Sequence, residues 1–159
     1  MRIMMRGIAA LALAVFSQAT VERLNAAENV TSGFVYAGGT FGSIPGAGRF
    51  GIGVDFRLAP QFDLGCEVGL IAKTDVGILG SGNLTYHFIR RRAGWDPFLV
   101  GGVSGARFGG VNGLYVNLGA GTNYWVAGRW ALRGEFKGYA GGQDLGGFSE
   151  LRFGVTFRP

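Results

Sequence analysis

The chain has 159 residues, of which 31 are glycine and only 4 proline; 48% are hydrophobic, 13% aromatic and 16% charged, and the formal net charge is +5. This length suits one domain behind a short leader. The composition is too apolar for disorder and poorer in charge than an ordinary soluble domain. The single cysteine, Cys66, excludes an internal disulfide and a cysteine-based metal site. The basic residues are dispersed apart from Arg90-Arg91-Arg92, so no nucleic-acid partner is expected.

Residues 1–19 have the form of a cleavable secretory signal peptide. Arg2 and Arg6 provide a positive start, GIAALALAVF (7–16) an apolar core, and Ser17-Gln18-Ala19 a small-x-small cleavage site, with Ala26 as an alternative end. The apolar core is too short to span a bilayer. Residues 20–32 carry no clear period and read as a loose segment.

From residue 33 to 159 the chain divides into eight strand-like runs. The first covers 33–42 and the second 48–58, where Phe50, Ile52, Val54, Phe56 and Leu58 share one face and Asp55 and Arg57 the other. Ala59-Pro60-Gln61 makes a tight turn. The third run, 62–73, alternates Phe62, Leu64, Cys66, Val68 and Leu70 with Asp63, Gly65, Glu67 and Gly69. The fourth is 76–89, followed by a turn over 90–96. The fifth, 97–108, is Gly-rich and ambiguous in facing. The sixth and seventh lie in NLGAGTNYWVAGRWALRGEFKGY (117–139), in which Leu132, Gly134 and Phe136 alternate with Arg133, Glu135 and Lys137. The eighth, 148–157, sets Leu151, Phe153, Val155 and Phe157 against Glu150, Arg152, Gly154 and Thr156.

A strand with one apolar and one charged face suits either a soluble sheet or a membrane barrel with the charges in its lumen. Three features favour the barrel. Each run is close to the roughly 9–11 residues a tilted strand needs to cross a bilayer. The even count puts both termini on one side, which in bacterial outer-membrane barrels is the periplasm. Trp95, Trp125 and Trp130 all fall beside the turns on that side, as in an aromatic girdle, and Phe41, Phe50, Phe108, Tyr115, Tyr139 and Phe148 bracket the loops on the other.

The segments NLGAGTNYWVAGRWALRGEFKGY (117–139), NLTYHF (83–88), PFLVGGVSGA (97–106) and LRFGVTFRP (151–159) resemble the small eight-stranded outer-membrane β-barrel proteins, the OmpA transmembrane-domain and OmpX-like group. The resemblance covers residues 33–159. It implies an all-β, eight-stranded antiparallel up-and-down transmembrane barrel in the bacterial outer membrane. In that family a terminal aromatic residue is read by the barrel-assembly machinery. Phe157 would fill that role, although Arg158 and Pro159 follow it.

The charges predict their own pairing. A hairpin that sets Glu135 opposite Arg152 also sets Lys137 opposite Glu150, and the Pro60 turn sets Arg57 opposite Asp63. Across the Gly128 turn, Gly121 and Gly119 would face Glu135 and Lys137, leaving the long chains room. An interior crosslinked by Asp55, Arg57, Asp63, Glu67, Arg133, Glu135, Lys137, Glu150 and Arg152 is therefore expected. Eight strands enclose just enough space for side chains to fill, and buried charges must be paired.

Other motifs carry little chemistry. Gly46 to Gly51 matches GxGxxG but precedes a strand rather than a helix. His87 is the only histidine, and the His-x-Ser pattern of barrel lipid A deacylases is missing because Phe88-Ile89 follow it. It reads as a polar lumen or rim residue. Arg90-Arg91-Arg92 beside Trp95 reads as an interfacial anchor for lipid phosphates. Asn29-Val30-Thr31 and Asn83-Leu84-Thr85 match the glycosylation pattern without consequence in a bacterial setting.

The sequence thus predicts a monomeric, non-enzymatic outer-membrane barrel without cofactor, metal or catalytic residues. Its partners would be outer-membrane lipids and, during biogenesis, the assembly machinery. Its role would be structural, in envelope integrity or in surface interaction. A narrow channel, a lipid-modifying enzyme and a soluble lipocalin-like binder are the competing readings.

Overall fold

The structure is a computed structural model that describes residues 30–89, 94–108, 110–141 and 146–159. The leader, the Arg90-Arg91-Arg92 triplet and Asn29 lie outside the described residues. Eight strands follow one another: β1 (Val30–Gly42), β2 (Gly48–Ala59), β3 (Phe62–Ala72), β4 (Val76–His87), β5 (Gly94–Phe108), β6 (Val111–Ala127), β7 (Trp130–Gly141) and β8 (Phe148–Phe157). Each pairs antiparallel with the next, and β1 pairs with β8, so the sheet closes into a barrel with no free edge.

The registers follow the charges. Glu135 is opposite Arg152 and Lys137 opposite Glu150 across β7–β8. Arg57 is opposite Asp63 across β2–β3. Gly121 and Gly119 face Glu135 and Lys137 across β6–β7.

The boundaries differ from expectation at β1 and β5, which each begin three residues early, and at β6, which begins six residues early. Gly94, at φ 86°, makes the bend into β5. Trp95 and Asp96 can then join the ladder opposite Tyr124 and Asn123. A left-handed backbone of this kind suits glycine, which has no Cβ to clash.

Alternation along the strands sorts the side chains. Val35, Ile52, Val68, Ile78, Val103, Leu118, Phe136 and Phe153 stand on the outside and are exposed. Charged and polar groups, with several aromatics, fill the inside. Glycines on β2 make space for the aromatics. The Phe34 ring lies over Gly53 and the Tyr36 ring over Gly51, and a Cβ on either glycine would come within 2.2–2.4 Å of ring carbon.

The turns at 60–61 and 128–129 share one end of the barrel with the C-terminal residues. We call this the terminal end. The loop at 43–47 lies at the opposite, distal end.

Candidate functional site: the barrel interior and its ends

The interior is filled at three levels. The middle level is an ion-pair network built on β2, β3, β7 and β8. Arg152 Nη2 lies 2.6 Å from Glu135 Oε1 and 2.8 Å from Glu67 Oε2, while its Nη1 lies 3.2 Å from Glu150 Oε1. Arg49 Nε donates to Glu150 Oε2 at 2.8 Å. Lys137 Nζ sits between Glu67 and Glu135 at 3.2 and 3.4 Å. Arg133 donates to Glu135 Oε2 at 2.8 Å and reaches Asp55 at 3.4 Å.

Four cations (Arg49, Arg133, Lys137, Arg152) thus meet four carboxylates (Asp55, Glu67, Glu135, Glu150), and all eight side chains are buried. Balance is what makes such burial tolerable, since an unpaired charge here would cost several kcal/mol. Aromatics complete the packing. The Arg133 guanidinium lies between the Phe34 and Phe98 rings, at 4.3 and 4.4 Å from their centroids. Arg152 stacks on Tyr36 at 4.3 Å.

The terminal-end level is centred on His87. Its Nδ1 lies 2.7 Å from Asp96 Oδ1, and its Nε2 lies 3.1 Å from Asp63 Oδ2. Trp125 Nε1 donates to Asp96 Oδ2 at 3.2 Å. The Arg158 guanidinium covers the Trp125 ring at 3.5 Å and approaches the same carboxylate at 3.7 Å. The Arg158 side chain therefore reaches over this end of the lumen, while its backbone N–H donates to the Arg129 carbonyl.

The distal level is apolar. Ile44, Ala47, Ile71, Leu79, Ala106, Tyr115, Tyr139 and Phe148 form one buried cluster, with the Tyr139 and Phe148 rings stacked at 4.4 Å. The 43–47 loop supplies part of this cap and is tied inward. Ala47 N donates to Thr40 Oγ1 at 3.2 Å, Thr40 Oγ1 donates to the Ile44 carbonyl, and Ser43 Oγ donates to the Gly147 carbonyl at 2.5 Å. Between cap and network, Asn117 and Ser81 both meet the Ser104 hydroxyl at 2.7 Å.

Of the nine residues expected in the network, the structure brings together Asp55, Glu67, Arg133, Glu135, Lys137, Glu150 and Arg152. Asp63 is inside but turns to His87. Arg57 is a correction: it is exposed and makes no ion pair with Asp63. β2 bulges between Arg57 and Ala59, at the barrel's end, where a long cation gains more from water than from the lumen.

Among the expected girdle residues, Trp95 and Trp130 are outside, 63% and 54% exposed. Trp125 is a second correction: it is 2% exposed and points inward. It shares the parity of Asn117 and Asn123, both buried, and Tyr124 takes the outer place beside Trp95 at 5.0 Å. Phe157 is half-buried, with its ring 4.8 Å from that of Trp130.

Two interior charges escaped the sequence reading. Arg49 was legible from parity alone, since it precedes Gly51, Gly53 and Asp55 on one face of β2. Asp96 was hidden by the turn expected over 90–96. The GxGxxG match runs from a loop into β2, with no helix to receive a phosphate.

If Trp125 is the buried one, a W95F/W130F variant in vesicles keeps one tryptophan emission band that brominated lipid barely quenches. Strong quenching of that band would put Trp125 on the lipid side and overturn its interior position.

No protein-family model matches the chain, and no curated protein matches it by sequence. Solved structures match by fold. The N-terminal β-barrel domain of Pseudomonas aeruginosa OprF aligns with a TM-score of 0.67 and 20% identity, covering 82% of this chain and 98% of that one. Neisserial surface protein A aligns with a TM-score of 0.64 and 13% identity over 81% of this chain and 96% of that one. The outer-membrane enzyme PagL aligns with a TM-score of 0.53 and 12% identity over 80% of this chain and 99% of that one. The chain has the fold of the small eight-stranded outer-membrane barrels. The fold itself hosts both an enzyme and a surface protein, so activity must be argued from this chain's own residues.

Proposed function

We propose that this chain is a non-enzymatic, integral outer-membrane protein whose filled lumen makes it a structural or surface-interaction barrel rather than a pore. The carrying observation is its inverted polarity: apolar side chains stand exposed around the outside while eight paired charges are buried inside. A soluble barrel would have the reverse, because exposed apolar area costs about 25 cal/mol per Å² in water. Lipid is the solvent that suits this exterior.

On this reading the leader directs export, the termini face the periplasm, and Phe157 presents the end of β8 to the assembly machinery. A monomer suffices, since closure leaves no strand edge to pair. His87 is held between two aspartates and Ser81 is engaged with Ser104, so neither forms a nucleophile–base pair with the other.

The experiment is fractionation followed by unboiled and boiled electrophoresis in SDS. A folded membrane barrel sediments with the outer membrane and shifts on boiling. Release into the periplasm without a shift would return the chain to a soluble reading. In planar bilayers the folded protein should show no steady conductance, because the distal cap, the ion-pair network and the His87 level each obstruct the lumen. Sustained single-channel steps from the wild type would make it a channel.

A further inference from the structure

The two ends of the barrel differ in what their surface charges can meet. Among the described residues at the terminal end, the acidic side chains, Asp63 and Asp96, are buried and engaged by His87, Trp125 and Arg158. Arg57 and Arg129 at that end are exposed, and neither makes an ion pair among the described residues. The one exposed acidic side chain among the described residues, Asp75, lies in the 73–75 loop at the distal end, beside Lys73. Around the terminal rim stand exposed Phe88, Trp95 and Trp130, with the Trp130–Phe157 and Trp95–Tyr124 ring pairs. The rim therefore combines aromatic rings suited to the headgroup layer with guanidinium groups that pair with no carboxylate among the described residues.

From this juxtaposition we infer that the terminal rim is a docking surface for anionic phospholipid headgroups, with Arg57 and Arg129 binding their phosphates. The inference rests on the membrane reading above and adds a lipid preference confined to one leaflet. Guanidinium is suited to this task because its planar fork donates two parallel N–H groups to one phosphate. A carboxylate at the rim would repel the headgroup, and among the described residues the acids at this end are buried in the lumen. Basic residues near a bilayer surface favour anionic over neutral lipid by up to about fivefold each.

The tryptophans give a local readout, since all three lie at this end. The full chain is folded into vesicles of phosphatidylcholine containing one-third phosphatidylglycerol, with bromine on the chains of one lipid or the other at equal mole fraction. Folding is followed separately by the shift on boiling. In the wild type, brominated phosphatidylglycerol should quench tryptophan more than brominated phosphatidylcholine. R57Q/R129Q should fold and lose that preference. K73Q/R107Q, changed at the distal end, should keep it.

Equal quenching by the two lipids in a wild type that shifts normally would overturn the docking surface while leaving the membrane reading intact. A preference that survives R57Q/R129Q, or that K73Q/R107Q abolishes equally, would also overturn it. Failure of the wild type to fold in either vesicle would remove the membrane reading and the inference with it.

Discussion

Substituting Arg152→Met should destabilise the folded barrel by about 3–5 kcal/mol, the cost of leaving buried charge uncompensated. Among the described residues, Arg152 is the only cation that touches Glu67, Glu135 and Glu150 together, and it stacks on Tyr36. Methionine fills similar volume but leaves three carboxylates facing Lys137, Arg49 and Arg133 alone. The loss should appear as a lower urea midpoint for refolding in vesicles, scored by the unboiled gel band. R152K should fall between, because an ammonium on a flexible stem cannot fork across several carboxylates. R152M/E135Q should recover part of the loss, giving a coupling of roughly 0.5–3 kcal/mol. An R152M midpoint equal to that of the wild type would mean the network is not what holds the interior.

How much of this was legible beforehand depends on the kind of signal. Strand alternation fixes the face of a residue, and two faces must be consistent across a hairpin. That is why Glu135–Arg152 and Lys137–Glu150 could be paired from numbering alone and appear in one register. Three-dimensional closure was less legible. Glu67 on β3 meets Arg152 on β8 and Lys137 on β7 across the lumen, and no hairpin register relates those strands. At Trp125, strand parity outweighs proximity to a turn. Its position near a turn suggested a girdle, but its parity with Asn123 already pointed inward. Near the ends the parity rule itself weakens. Arg57 has lumen parity, yet a bulge and nearby water let it escape. Gly121, expected to give Glu135 room, instead lies under the Phe98 ring, where a Cβ would meet ring carbon at 2.6 Å.

One residue on the outer wall tests the environment of the whole molecule most directly. Val68 lies midway along β3, and its side chain is exposed on the outer wall, opposite Ile52 and Gly80 in its ladders. In water, Val68→Arg would be a mild change at an exposed site, usually within about 0.5 kcal/mol. In lipid, the same arginine near the midplane should cost about 2–4 kcal/mol. The two solvents thus predict effects that differ by more than the error of a urea titration. Arg107, already exposed on the outer wall near the distal rim, provides the internal control. Arginine close to the interface is cheap because it can reach the headgroups, so placing one at Leu114, near that rim, should cost no more than about 1 kcal/mol. A depth-dependent pair of losses, large at Val68 and small at Leu114, is the signature of a bilayer around this wall. If V68R and L114R are both near wild type, the exterior faces water and the inverted polarity needs another explanation.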